Sequence, residues 1–211
     1  MNELEALRAA AEACTACRLA EGRTNVVFSR GDPRARVMVV GEGPGAREDE
    51  QGLPFVGPSG RLLDELLAEI GLGSQDVYVA NVVKCRPPGN RDPRPDEIDA
   101  CKHFLRRQIE LVDPRIVVTV GNFATRLLLR TSLGITRLRG RVYPWWGGRF
   151  LVPTYHPAAA LRGSPRVLAE MRSDLRLVRE VLDGNLPHGD AGEEKDDGAS
   201  AASMEQLGLF G

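Results

Sequence analysis

Four short segments, far apart in the chain, carry side chains that could act on a small molecule. Gly41-Glu42-Gly43-Pro44-Gly45 follows an apolar, β-branched run. Three glycines in five residues let backbone approach a ligand, Pro44 stiffens the turn, and Glu42 puts an acid inside it. Gln51-Gly52-Leu53-Pro54-Phe55-Val56-Gly57 offers one aromatic ring, Phe55, between glycines. Asn81 carries an amide, donor and acceptor on one group. Thr154-Tyr155-His156-Pro157 supplies an imidazole. Acid, ring, amide and imidazole suit a pocket for a small molecule or a base. A P-loop is excluded, because no Gly-Lys-Ser/Thr follows the glycines. A dinucleotide fingerprint is excluded too, because Gly41, Gly43 and Gly45 are spaced G-x-G-x-G.

The cysteines form a second group. Cys14-x2-Cys17, Cys85, and Cys101 after fifteen intervening residues account for every cysteine in the chain. Structural zinc more often shows two close pairs. One close pair with two dispersed thiols suits an iron–sulfur cubane at least as well. Four unrelated buried thiols fit poorly with an adjacent pair in a polar setting. A metal centre is therefore expected, tying the first helix to the segments around Cys85 and Cys101.

The elements that must position these groups follow from the apolar pattern. Residues 3–13 have helical periodicity, and 18–35 read as loop. Strands are expected at 36–41, from Val77 to Ala80 and on towards Cys85, at Ile116–Val120 and at Phe150–Pro153. Helices are expected at Ser59–Ile70, with Ser59 placed to cap it, at about Asp96–Leu111, at Phe123–Leu129 and at about Pro165–Leu182. Leu138–Trp146 reads as a basic hairpin. Strands alternating with helices imply an α/β fold, a three-layer α/β/α sandwich around a four-stranded parallel sheet. Gly41, Asn81, Gly121 and His156 all fall at strand C-terminal ends, so Glu42, Asn81 and His156 should share one rim.

Length and composition bound the rest. The 211 residues, 42% hydrophobic, suffice for one α/β domain plus a tail. No run has the length of a membrane-spanning helix, and the acidic, helical start is unlike a secretion signal. A cytoplasmic chain without disulfides is expected. The formal net charge of −1 hides an asymmetry, because residues 187–211 hold six acids and one base. The remainder carries about +4, which permits a nucleic-acid partner.

Taken together, the Gly41–Gly45 and Gln51–Gly57 motifs, Asn81, the four cysteines and Tyr155-His156-Pro157 resemble the bacterial family 4, iron–sulfur type of uracil-DNA glycosylase. The resemblance covers about residues 5–182. It implies a uracil-DNA glycosylase-like fold, excision of uracil from DNA in base excision repair, and a [4Fe-4S] cluster on Cys14, Cys17, Cys85 and Cys101. It implies a uracil pocket of Gly41, Glu42, Gly43, Phe55, Asn81 and His156. Phe55 would stack on the extruded base, and Asn81 would pair with its N3–H and O4 edge. His156 would donate to O2 of the leaving uracil, and Glu42 would position or deprotonate the water. Glu48 is the candidate for excluding thymine at C5. The superfamily's apolar wedge falls on small Ala160 here, which leaves Leu161 or Arg162 for that task. Thr136–Arg141 lacks the histidine of the branch that traps DNA covalently, so ordinary hydrolysis is expected. Glu42 argues against the family 5 branch. Arg137, Arg139, Arg141, Arg162 and Arg166 are the expected phosphate contacts. Two other readings fit parts of the pattern: a non-catalytic nucleic-acid-binding module with a metal centre, and a hydrolase of free nucleosides. A glycosylase acting as a monomer, in the bacterial cytoplasm at the nucleoid, is the expectation.

Domain organisation follows: a catalytic unit at 1–184, a disordered acidic linker at 185–204 and a terminal peptide at 205–211. The linker is rich in Gly, Ala, Ser, Asp and Glu, with no aromatic residue. The last residues, Gln206-Leu207-Gly208-Leu209-Phe210, resemble the peptide by which bacterial repair proteins bind the sliding clamp. Gln206, Leu207, Leu209 and Phe210 would be its anchors.

Overall fold

The computed structural model describes residues 2–185. In chain order the elements are α1 (Glu3–Glu12), α2 (Leu19–Gly22), β1 (Arg30–Gly31), β2 (Val37–Gly41), α3 (Ala46–Gln51), α4 (Pro58–Glu69), β3 (Val77–Asn81) and α5 (Pro95–Val112). Then follow β4 (Ile116–Val120), α6 (Asn122–Leu129), α7 (Ile135–Leu138), β5 (Tyr143–Trp145), β6 (Arg149–Thr154), α8 (Pro157–Leu161) and α9 (Pro165–Leu182). The acidic linker and terminal peptide lie outside the described residues, Asn185 excepted.

The sheet is a three-layer core with one correction to its edges. Strands run in the order β1-β3-β2-β4-β6-β5. The inner four, β3-β2-β4-β6, are parallel, and β1 and β5 pair antiparallel at the two edges. The expected four-stranded parallel sheet is thus the centre of a six-stranded mixed one. The inner strands are legible because both their faces are covered, so every residue of β2, β3 and β4 is buried. Met38, Val40, Tyr78 and Val117 face α1, α5 and α6. Val37, Val39, Val79 and Val118 face α4 and α9. β1 is only two residues long, and Gly31 permits it: a Cβ there would sit 2.0 Å from the Val77 carbonyl oxygen.

The expected basic hairpin at 138–146 is also displaced. Leu138 ends α7, and the antiparallel pair is β5 with β6, turning through Trp146-Gly147-Gly148. Pro144 is tolerated there because β5 is an edge strand. Ser59 does not cap α4. Gly57 is the N-cap and Pro58 the first helical residue, a position where the missing N–H costs nothing.

Parallel register gathers the strand ends on one rim. Gly41 lies opposite Asn81, and Val120 opposite Thr154. Beyond the strands the pairing continues: Val82 N–H donates to the Gly41 carbonyl at 2.9 Å, and Gly121 N–H to that of Thr154 at 2.9 Å.

Candidate active site

A cavity of about 760 Å³ opens on this rim, and Glu42, Gly43, Glu48, Phe55, Asn81 and His156 all line it. Gly41, which is not itself on the lining, lies between two of them. A Cβ on Gly41 would stand 2.5 Å from Asn81 Oδ1 and 2.7 Å from Phe55 Cζ, so only glycine lets amide and ring meet there. Phe55 sits in left-handed backbone (φ 55°) at the end of its glycine loop. Its ring stacks on His156, centroids 6.0 Å apart and planes inclined by 29°. Gly60 lets the Phe55 carbonyl press against α4, where a Cβ would approach it to 1.7 Å. Glu48 locks the same loop, its Oε1 accepting from Val56 N–H and Gly57 N–H, each at 3.0 Å.

Asn81 is 1% exposed, and its Oδ1 is buried without a hydrogen-bond partner. Native interiors rarely leave such an acceptor unpaired, and each one costs about 1–3 kcal/mol. The amide thus waits for a donor arriving in the cavity. Its own backbone is held from behind. Lys84, 1% exposed, donates through Nζ to the Asn81 carbonyl at 2.7 Å and to Gln108 Oε1 at 2.5 Å. Gln108 in turn donates to Tyr78 Oη and the Phe28 carbonyl. One buried chain of hydrogen bonds therefore joins the end of β3 to α5.

His156 stands at the start of α8. Its Nδ1 accepts from Ala158 N–H at 3.2 Å. That contact requires Nδ1 unprotonated and leaves Nε2 as the donor. Burial, with Arg162 nearby, pulls its pKa below the usual value, so the ring is neutral at pH 7. Gly121, with φ 95°, makes room behind it: a Cβ there would lie 3.2 Å from that of His156. Glu42, half-buried on the cavity wall, is pushed up to about 7, chiefly by burial and then by the Asp92 carboxylate. The arrangement offers a neutral hydrogen-bond donor, a carboxyl that changes charge near neutrality, a ring face and an unpaired amide around one space.

A model of the uracil DNA glycosylase superfamily matches residues 28–176. The chain belongs to the uracil DNA glycosylase superfamily. Its relatives place it in the type-4 branch. The type-4 uracil-DNA glycosylase of Thermotoga maritima is 49% identical over 150 residues, covering 71% of this chain and 78% of that one. That of Sulfurisphaera tokodaii is 43% identical over 190 residues, 86% of each chain. The type-5 uracil-DNA glycosylase of Thermus thermophilus is 32% identical, over 73% of this chain and 78% of its own.

Within this glycosylase fold the expected phosphate contacts divide. Arg162 lines the cavity and is exposed. Arg139 does not project to solvent. Its guanidinium donates to Asp174 Oδ2 at 2.9 Å and Oδ1 at 2.7 Å, and to the Glu170 carbonyl at 2.8 Å. Asp174 is fully buried and also accepts from Thr154, so Arg139 is a strut beneath the end of β6. Arg166 is exposed and paired with Glu170 along α9. Arg137 and Arg141 are exposed and away from the cavity wall. Sequence reasoning missed Arg47, Arg91 and Asp92, all on that wall. An arginine inside Gly45–Gly57 was the available signal for the first. Nothing local distinguishes Asp92 from an ordinary turn residue. Leu161, 49% exposed at the end of α8, is with Leu53 one of two exposed large hydrophobics among the described residues.

The cysteines converge behind the rim. Cys14 and Cys17 follow α1, Cys85 lies just past β3, and Cys101 is on α5. All four pack into the same side of the core. Arg23 donates to the Cys14 carbonyl at 2.7 Å and to Cys85 Sγ at 3.3 Å, and Lys84 N–H donates to Cys101 Sγ at 3.3 Å. Burial pushes the Cys101 thiol up to about 11 and raises Cys85 too, with Cys14 and Cys17 close enough to add to the latter. Among the described residues, no three His, Cys, Asp or Glu side chains form a group that could hold a metal ion as they stand.

Proposed function

We propose that this chain flips uracil out of DNA and hydrolyses its N-glycosidic bond, leaving an abasic site. The buried, unpaired Asn81 Oδ1 in a cavity shared with Phe55 and His156 is the observation that carries it. Uracil presents N3–H to that oxygen and O4 to the amide nitrogen. Cytosine presents an acceptor at N3, which leaves Oδ1 unpaired and costs the contact. Phe55 supplies the apolar face. His156 donates from Nε2 to O2 as negative charge develops on the leaving base. Glu42 accepts the proton of the attacking water and offsets the positive charge on the sugar. Glu48 acts by fixing the wall that Phe55 forms, and the 5-methyl of thymine would meet that wall. Leu161 fills the gap in the duplex, and Arg162 meets a flanking phosphate.

The four thiols hold a [4Fe-4S] cluster, which would cross-link α1, α5 and the exit of β3. Support comes from the donor set, which is thiols alone, and from N–H groups aimed at two of the sulfurs, as thiolate-ligated clusters use. Chromosomal DNA as substrate places the enzyme in the cytoplasm. The peptide Gln206–Phe210 binds the sliding clamp.

The test is release of free base from oligonucleotides carrying uracil, cytosine, thymine or hypoxanthine, using the brown, cluster-bearing protein. Uracil should be released and cytosine should not. Asn81→Ala and His156→Ala should each lose about 10²-fold or more in kcat/KM. No release of uracil by the wild type would favour a binding module instead.

A further inference from the structure

Glu42 shares its wall with a second acid. Asp92 lines the same cavity, and also the adjoining one of about 620 Å³ that Glu42 and His156 border. Asp92 opposes ionisation of Glu42, whose pKa is raised first by burial and then by this neighbouring carboxylate. The backbone at Asp92 is held by its neighbours. Arg91 forks onto Glu97, at 2.8 and 2.6 Å, and donates to the Asp92 carbonyl at 2.9 Å. Glu97 is fully buried and also accepts from Arg94 N–H at 2.8 Å. Residues 91–94 are thereby pinned to the first turn of α5, and the exposed Asp92 side chain overhangs the cavity. The other charged groups facing these spaces are Arg47 and Glu48 from α3, Arg91, Arg126 from α6, and His156 and Arg162 at the two ends of α8. Among them Asp92 is the charge that acts on Glu42.

We propose that Asp92 is a positioning residue for the hydrolysis, forming a carboxyl pair with Glu42 that orients the acid receiving the water proton. The inference rests on the proposed uracil excision. In that step the water oxygen bonds to C1′ and the C1′–N1 bond breaks. The bonding pair leaves with uracil, whose O2 accepts from His156, and the water proton passes to the Glu42 carboxylate. A base works best when its proton affinity lies near the working pH, and burial plus Asp92 sets Glu42 there. A negative charge beside a carboxyl disfavours its ionisation, so removing Asp92 should lower the pKa of Glu42.

The experiment is single-turnover release of uracil by the full-length, cluster-bearing protein from pH 5 to 9, for wild type, Asp92→Asn, Asp92→Ser, Asp92→Glu and Glu42→Gln. Wild type should gain activity through a limb centred near pH 7. Asp92→Asn should move that limb down by about one pH unit and lower the alkaline plateau roughly tenfold. Asp92→Ser should do the same, and Asp92→Glu should restore both. Glu42→Gln should lack the limb, leaving only the lower one of His156, which titrates below its usual value. Limbs of wild type and Asp92→Asn that superimpose, with wild type active, would overturn the pair and leave uracil excision standing. A wild type that releases no uracil would overturn both.

Discussion

Glu42 has a pKa raised from the ordinary 4.5 to about 7 in the folded chain, and burial is the main cause. Between those two values the folded protein keeps a proton that the unfolded chain has released. Stability therefore falls as pH rises from about 4.5 through 7, and the contribution present at acid pH is lost above that. His156 works the other way: its folded pKa is depressed, so its contribution is full above about 6.5 and is lost as pH falls through the folded value. The two can be separated because Glu42→Gln leaves His156 in place. Glu42→Gln should match wild type in melting temperature near pH 4.5 and melt higher at pH 8. The cavity is open to solvent, so the gap should narrow with salt. Equal melting curves at pH 8 would mean that Glu42 ionises without resistance, against its burial. The residue scale was also where the sequence was most readable. Glu42, Asn81 and His156 stand at or beside strand ends, so the strand pattern puts them on one rim, and the family resemblance adds Phe55 to it. Asp92 was not readable, because its approach to Glu42 depends on Arg91 and Glu97 pinning the loop.

At the scale of elements, β6 carries His156 at its exit, and Asp174 on α9 supports that exit. Asp174 accepts from Thr154 at 2.8 Å and from Arg139, which leads from α7 to β5. A run of arginines beside the rim looks like a DNA-facing stripe, which is why local pattern puts Arg139 among the phosphate contacts. Its partner lies 35 residues on, a tertiary fact that local pattern does not contain. The edge strands were hidden for the same reason, since two residues of β1 become a strand only by pairing with β3. A comparison of two arginines tests the reassignment. Arg139→Ala breaks a pair in which the acid is fully buried, and should destabilise by about 3–5 kcal/mol while leaving the salt dependence of DNA binding unchanged. Arg162→Ala should leave the melting temperature within about 1 °C. It should reduce the slope of log K against log salt by about one phosphate contact. A reduced slope for Arg139→Ala, with unchanged melting, would return that residue to the DNA surface.

Across the whole molecule, the catalytic body and the last residues differ in composition. The body buries both faces of a sheet whose inner four strands are parallel, and its apolar runs mark those strands in the sequence. The segment after Asn185 is acidic and lacks apolar periodicity until Leu207, Leu209 and Phe210. Its net negative charge disfavours contact with a phosphate backbone. What it can do is carry a short apolar anchor some distance from the active site. A flexible linker of about 20 residues spans roughly 25 Å on average, the separation that the proposed clamp anchor calls for. Anchor and catalysis should then be separable. A chain ending at Asn185, and the double variant Leu209→Ala/Phe210→Ala, should each release uracil from short oligonucleotides at the wild-type rate. Both should lose capture by an immobilised sliding clamp, and on clamp-loaded DNA both should fall behind wild type at low enzyme concentration, where tethering raises effective concentration most. Capture that survives both changes would place the clamp contact, if there is one, on the body. Slower release from short oligonucleotides would show instead that the terminal residues serve the active site.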